Sequence, residues 1–315
     1  MPKVALGYLS QGKKAALATV VSTWGSAPRG VGSQLAISEN GDFEGSVSGG
    51  CVEGAVIVEA LDSMSDGQCK LLEYGVADED AFAVGLACGG DIKILVEPID
   101  IGSGIKSKDL DEVVLAYSNR QNIGYSINLN DFQRYPLTQS YLRTGIKDDV
   151  FSLSYSPSAR LVIIGAVHIS KTLSSIAKMA GYDVYLVDPR ESFASSARFP
   201  DDSFLDGWSD EALSNLGIDA NTAIVTLSHD PKIDTPALDV ALKSQAFYIG
   251  SLGSKKTHSK RVLELKGLGF EDHEIKKIHS PIGLNIRSKT PAEIAISIMA
   301  EIIQVFRTIK ARDNS

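Results

Sequence analysis

Cysteine is scarce in this chain, with three in 315 residues. So few, and an odd number, exclude a disulfide framework and leave reduced thiols that are free for chemistry. An excess of positive charge is also lacking: the formal charge is −8 at pH 7 and the pI is near 5.2. That balance argues against nucleic acid and anionic membrane as partners, and any anionic ligand must be held by local features. No run approaches the roughly 18 apolar residues of a membrane helix. The opening MPKVALGYLSQGKKAALATVV lacks the basic start, apolar core and small-residue cleavage site of a secretory signal. A cytoplasmic location without membrane association is the expectation. The rest is ordinary for a globular protein, 43% hydrophobic and 22% charged, in a length that suits two domains better than one.

The most informative stretch is Ser46 to Gly54, SVSGGCVEG. Gly49 and Gly50 can take positive φ and leave their backbone N–H groups unscreened. Cys51 then falls on the first turn of an expected helix, where unpaired amide donors and the positive dipole end favour thiolate. It is a candidate ligand or nucleophile, against the plainer alternative of a small buried hydrophobe. Cys88, followed by Gly89 and Gly90, repeats the arrangement with the glycines after the thiol. Cys69 has no glycine neighbour and is assigned to structure.

Around these turns the pattern predicts an α+β domain over residues 1–152. Its elements are a modest helix over 4–17 and a strand over 18–23, then a hairpin of 34–38 with 43–48 through Asn40-Gly41. A helix follows Cys51 and ends before Gly67, and strands cover 70–74 and 92–96. Between the first two strands, the loop from Gly25 to Ser33 carries Ser26 and Arg29 among three glycines and a proline, a candidate anion cradle. Residues 99–110 read as a linker, 110–118 as a helix, 124–129 with 132–137 as a weak hairpin, and 144–159 as a polar, turn-rich boundary.

The second domain, 153–315, reads differently. Leu161 to Ile164 is a continuous apolar run ending in Gly165, as a strand buried on both faces should be. A helix follows with Ile169, Leu173, Ile176 and Ala180 on one face, and Val184 to Val187 is a second buried strand closing with Asp188. This is the βαβ opening of a Rossmann-like, doubly wound parallel sheet. Asp188 follows Gly165 at about the 20-residue spacing at which an acid reaches a ribose hydroxyl, but Val167 stands where the second fingerprint glycine belongs. Further strands are expected at 223–227 and 247–250, with a short one near Phe204. Their ends carry His229 and the run Gly250-Ser251-Leu252-Gly253-Ser254-Lys255, which suits a phosphate and should converge with His168, Asp188 and Arg190 on one crevice. The last helix has Thr290 as N-cap, Pro291 at its first position and Glu293 completing a capping box. Its apolar surface, Ile294, Ile298, Ile302 and Val305 widened by Ile296, Met299, Ile303 and Phe306, is broad enough for burial both in the core and against a second subunit, so a homodimer is expected.

Six blocks together resemble the xanthine dehydrogenase accessory family, XdhC/CoxI. They are Gly25-Ser26-x-Pro28-Arg29, Gly45-Ser46-Val47-Ser48-Gly49-Gly50-Cys51-Val52-Glu53, Cys88-Gly89-Gly90, Val187-Asp188-Pro189-Arg190, Tyr248 to Ser254 and Lys289 to Ala295. The resemblance implies a cytoplasmic maturation factor that binds molybdenum cofactor (molybdopterin) and protects it while a cysteine desulfurase helps to install its sulfido ligand. The factor then delivers it to a molybdenum hydroxylase such as xanthine dehydrogenase. Two departures are Val167, where the family usually has glycine, and Arg287-Ser288, where glycine-alanine is expected. Thiolates suit a soft metal, and glycine-rich backbone with Arg29 suits a polar ring and phosphate. The expected cofactor-binding set is Ser26, Arg29, Gly49, Gly50, Cys51, Glu53, Cys88, Gly89 and Gly90, with Gly165, His168, Asp188, Arg190, His229, Gly250, Ser251, Gly253, Ser254 and Lys255. Cys51 and Cys88 are expected to meet as metal ligands facing the crevice. No catalytic acid–base pair is evident, so a chaperone is expected rather than a turnover enzyme. The rival is an NAD(P)-dependent oxidoreductase resting on the βαβ unit, Asp188 and His229, and a third reading is a scaffold that binds only protein.

Overall fold

Alternating apolar residues in one long strand organise the first half of the computed structural model, which describes residues 1–25, 29–75, 90–137 and 143–313. The strand is β1 (Ala15–Trp24), with Ala16, Ala18 and Val20 on one face and Ala15, Leu17 and Val21 on the other. It pairs antiparallel with β2 (Gln34–Ser38) and β5 (Asp91–Pro98), and β3 (Phe43–Gly45) and β4 (Lys70–Tyr74) complete a five-stranded sheet of order β3-β2-β1-β5-β4. Against the first face lies α2 (Glu53–Asp66), whose Val56, Ala60 and Met64 recur at one-turn spacing and pack on Ala18, Ile94 and Val96. Gly67 stops that helix at φ 74°. On the other face sit α1 (Pro2–Ser10), α3 (Ser107–Ser118) and a four-stranded antiparallel sheet. That sheet contains β6 (Ile123–Asn128), β7 (Arg134–Pro136), β8 (Gly145–Lys147) and β9 (Val150–Tyr155) in the order β7-β6-β9-β8.

Three expectations for this half change. The first helix ends at Ser10 rather than 17, because Gly12 (φ 77°) breaks it and Ala15 to Leu17 are needed in the central strand. The stretch expected to be a linker, 99–110, is a packed turn with Ile99 and Ile105 buried, and α3 begins within it. The turn-rich 144–159 holds β8 and β9, whose Phe151, Leu153 and Tyr155 alternate with Ser152 and Ser154 and bury every second side chain.

Contacts divide the chain into Met1–Pro157 and Ser158–Ser315. The second unit is a six-stranded, fully parallel sheet built from β10 (Arg160–Ile164), β11 (Asp183–Val187), β12 (Ser203–Phe204), β13 (Thr222–Thr226), β14 (Tyr248–Ser251) and β15 (Ile278–His279). Its order, β12-β11-β10-β13-β14-β15, is the 3-2-1-4-5-6 arrangement of the Rossmann fold. Helices α4 (His168–Met179) and α9 (Pro291–Asp313) cover the face that holds Leu161 and Ile163. The face that holds Val162 and Ile164 is covered by α5 (Ser209–Leu216) and α6 (Pro231–Lys243), and α7 (Lys255–Gly267) and α8 (Asp272–Ile275) extend the same core. Burial on both faces is why these strands read as unbroken apolar runs. At the start of α9 the Thr290 N–H donates to Glu293 Oε2 (3.1 Å) and the Glu293 N–H to Thr290 Oγ1 (3.3 Å), so the capping box forms. Ile298, Met299 and Ile302 of α9 enter the core, whereas Ile296 and Ile303 are 50% and 37% exposed in the single chain. Among the described residues, no helix is long and apolar enough to cross a membrane.

Candidate functional site

The SVSGGCVEG loop closes around a carboxylate of its own. Gly49 and Gly50 take φ of 80° and 112°, which turns successive amides inward. Glu53, the first residue of α2, puts its side chain into the concavity. Its Oε1 accepts from the Ser46 hydroxyl (2.7 Å) and from the amides of Val47 (3.2 Å), Ser48 (2.9 Å) and Gly49 (3.1 Å). Its Oε2 accepts from the Gly50 amide (2.9 Å) and the Ser48 hydroxyl. Burial by itself would raise the Glu53 carboxyl, but the donors of Ser48 and Ser46 outweigh it and hold the pKa down at about 2. The Ser48 oxygen accepts in turn from the amides of Cys51 (3.0 Å) and Val52 (2.9 Å), which fixes the two residues just before α2. The backbone donors expected to serve a ligand are therefore taken by Glu53, and Gly49, Gly50 and Glu53 form the rigid mount of Cys51. Cys51 itself is half-buried, one side packed on the α2 core.

Cys69 is buried, its Sγ 3.4 Å from the Ser103 carbonyl, and burial pushes its thiol up to about 11. That agrees with its assignment to structure. Arg29 is exposed and Gly90 is buried just before β5. Ser26, Cys88 and Gly89 lie outside the described residues, and so does the expected meeting of Cys51 with Cys88. Among the described residues, no group of three or more His, Cys, Asp or Glu is placed to hold a metal ion.

In the second unit the sheet's carboxyl ends carry the predicted residues, and again an internal carboxylate fills the first glycine turn. Asp188 Oδ2 accepts from the Ala166 amide (2.8 Å) and Arg190 Nη2 (2.7 Å), and Oδ1 from the Arg190 amide (3.1 Å) and Nε (2.8 Å). Its side chain is fully covered. Burial would raise this carboxyl, but the Arg190 and Ala166 donors outweigh it and keep it below the usual range. All four acceptor positions are occupied, so none is left for a ribose hydroxyl. Gly165 (φ 101°) is required by the fold, since a Cβ there would sit 2.7 Å from the Ser228 amide nitrogen. Gly250 and Ser251 also turn inward: a Cβ on Gly250 would meet Ile282 Cδ1 at 2.5 Å, and the Ser251 hydroxyl is buried against Thr226 Oγ1. His168, the first residue of α4, and His229, at φ 63°, are exposed. Gly253, Ser254 and Lys255 form the turn into α7, where Ser254 Oγ accepts from the Thr257 amide (3.2 Å).

Sequence reasoning missed two features. A cavity of about 430 Å³ opens beside Asp188 between the segments after β11 and β12, lined by Glu191, Phe204, Leu205, Asp206 and Trp208. Trp208 is 51% exposed there. The other is Arg261, almost wholly buried inside a helix whose sequence, KKTHSKRVLELKG, looks like a solvated surface. An isolated exposed tryptophan and one arginine among lysines carry no periodic signal.

A two-unit α/β protein emerges, with a cysteine mounted on a glycine turn in one unit and a Rossmann-ordered crevice in the other. The chain belongs to the XdhC and CoxI family: the family model matches residues 8–75, and that of the XdhC Rossmann domain matches 161–302. It is 30% identical over 303 residues, 96% of this chain and 87% of the relative, to the molybdenum cofactor insertion chaperone PaoD of Escherichia coli (strain K12). It is 27% identical over 324 residues, 96% of this chain and 96% of the relative, to a probable xanthine dehydrogenase subunit of Bacillus subtilis (strain 168). A Bacillus halodurans crystal structure described as a xanthine dehydrogenase shares the fold, with a TM-score of 0.80 at 23% identity over 98% of this chain and 96% of that one.

Proposed function

We propose that this protein is a maturation factor that binds molybdenum cofactor as cargo and hands it to a xanthine dehydrogenase-type molybdenum hydroxylase. A relative similar along nearly the whole chain is named a molybdenum cofactor insertion chaperone. The observation that carries the reading is the mount of Cys51, a half-accessible sulfur on a loop locked by six hydrogen bonds to Glu53. Rigid presentation of one soft donor suits transient capture of a soft metal centre. Two or three further ligands would suit a permanent site. The cargo supplies the dithiolene-bound metal, a flat polar ring system and a phosphate. For the metal this chain supplies the sulfur of Cys51. The cavity beside Trp208, lined also by Glu191 and Asp206, is a separate surface that suits a flat polar ring. The cysteine desulfurase that would sulfurate the cargo, a homodimer and a cytoplasmic setting complete the proposal. Against the oxidoreductase alternative stands the saturated Asp188. Isolation of the protein from cells that make molybdenum cofactor, followed by oxidation and fluorescence of the released pterin, tests the reading: near-stoichiometric pterin supports it, and none retained under anaerobic conditions refutes it.

A further inference from the structure

Of the three glycine turns, the one that enters α7 contains no carboxylate. The first turn of this 13-residue helix holds no acid. Among the described residues, no protein acceptor takes the backbone N–H of Gly253, Ser254, Lys255 or Lys256, and neither lysine is in an ion pair. Four free amides at the positive end of a helix form an anion cradle that no described residue fills.

Arg261 supplies an independent observation. It is 6% exposed. Side chains on a helix lean toward its N-terminus, and the Arg261 guanidinium returns beneath the turn. Its Nη2 donates to the Leu252 carbonyl at 3.0 Å and lies 3.6 Å from where a Cβ on Gly253 would sit. Nη1 is buried with no hydrogen-bond partner, as is Nδ1 of His258 one turn earlier. The acids whose charge acts on Arg261 are engaged elsewhere: Asp234 accepts from the Ser228 hydroxyl (2.7 Å) and Glu264 from the Thr235 hydroxyl (2.9 Å), and neither makes an ion pair with Arg261. A guanidinium removed from water without a counter-ion in contact is costly, and native proteins rarely leave one so.

We infer that the turn Leu252–Lys256, with Arg261 behind it, is a binding site for a phosphoryl group, either a phosphate monoester or a diphosphate. In this assignment the free amides and the two lysines serve the phosphoryl oxygens and Arg261 holds the base of the turn. Glycine is favoured at 253 because φ is 150° and a Cβ would sit 3.1 Å from Thr257. The site stands on its own geometry and does not depend on molybdopterin being the cargo.

The test is isothermal titration of the full-length protein with inorganic pyrophosphate, orthophosphate, guanosine 5′-monophosphate and guanosine, alongside thermal unfolding. Saturable binding of pyrophosphate is expected, weakened at least tenfold by Arg261→Met and about threefold to tenfold by Lys255→Gln. Guanosine, which has no phosphate, should not bind here. A nucleotide that binds more tightly than pyrophosphate identifies the phosphate as part of a nucleotide tail, and the reverse identifies a free or terminal phosphate. Because Arg261→Met removes a buried unpaired charge, the ligand-free variant should unfold at the same or a higher temperature. Wild-type affinity for pyrophosphate in Arg261→Met, or no saturable binding by the wild type, overturns the inference. Should that variant fail to fold, Lys255→Gln/Lys256→Gln decides, and unchanged pyrophosphate affinity there overturns it equally.

Discussion

The Glu53 carboxylate accepts the Gly50 amide at 2.9 Å, three residues back along its own chain. A glycine turn that resembles an anion cradle has been given its anion by the protein. The same holds for Asp188 and the Ala166 amide, at 2.8 Å, in the second unit. Each carboxylate fixes a loop that would otherwise carry unpaired buried donors, which makes the loops rigid at the cost of their capacity to bind a ligand through those amides.

Glu53→Gln should destabilise the protein by about 2–3 kcal/mol at neutral pH, the scale of hydrogen bonds lost to a charged acceptor in a buried site. The ordinary value of this carboxyl is 4.5 and the folded value about 2. Since the folded value is the lower, the stability owed to Glu53 is complete above about pH 4.5 and is lost as the pH falls toward 2. Unfolding midpoints of wild type and variant, measured from pH 7 to pH 2, should converge at the acid end, whereas a constant gap would mean that ionisation of Glu53 is not what holds the loop.

The two described cysteines should separate cleanly in a thiol assay. In a Cys88→Ser background, Cys51 reacts with a disulfide reagent in the native state, and Cys69 reacts only when the protein opens. Ser48→Ala removes the acceptor for the Cys51 and Val52 amides, with an expected cost of about 1–3 kcal/mol for the buried donors left unpaired and a labelling rate at Cys51 changed several-fold at one pH. Equal labelling rates for Cys51 in both proteins would show that Ser48 does not position the thiol.

Asp188→Asn should lower stability by about 2 kcal/mol, because it weakens the pairing with a partly exposed Arg190. The wild-type protein should bind NADH or NADPH, followed by fluorescence, no more tightly than pyrophosphate and transfer no hydride, since the acid that would take the ribose diol has no acceptor to spare. Tight binding of either nucleotide with hydride transfer would restore the oxidoreductase reading.

Trp208 offers a direct optical probe. The chain has two tryptophans, so Trp24→Phe isolates the one in the cavity. Stacking of a pterin there should quench and shift its emission, and Trp208→Ala should weaken pterin binding about tenfold, on the scale of 1–3 kcal/mol for a ring stacked on an aromatic side chain.

The Rossmann unit is legible in the sequence because β10, β11 and β13 are buried on both faces and stand out as apolar runs, and because Thr290, Pro291 and Glu293 mark the start of α9. Helix α7 is not legible. It buries only Arg261 and Leu265, which is too narrow a stripe for periodicity to reveal. Strand β8 has only three residues, and β9 places serines between its apolar residues, so the alternation reads as turn composition. At the candidate site, residue type finds the right loops but cannot say whose anion fills them. The serine, glycine and glutamate of the first loop read equally well as a ligand cradle and as a loop that binds itself, and only the direction of the Glu53 side chain separates the two. Position 287 is a smaller case: Arg287 stands where the family resemblance suggests glycine, and it takes a left-handed φ of 59°, so the backbone keeps a conformation natural to glycine although the residue has changed.

The proposed function requires Cys51 to present its sulfur to a molybdenum-bearing pterin. Anaerobic titration of molybdopterin-bound molybdenum into wild type and Cys51→Ala tests it most directly, with pyrophosphate affinity as a control for the intact second unit. Stoichiometric binding by the wild type, at least tenfold weaker binding by the variant and equal pyrophosphate binding by both are expected. Equal affinity of the two proteins for the molybdenum cofactor would contradict it.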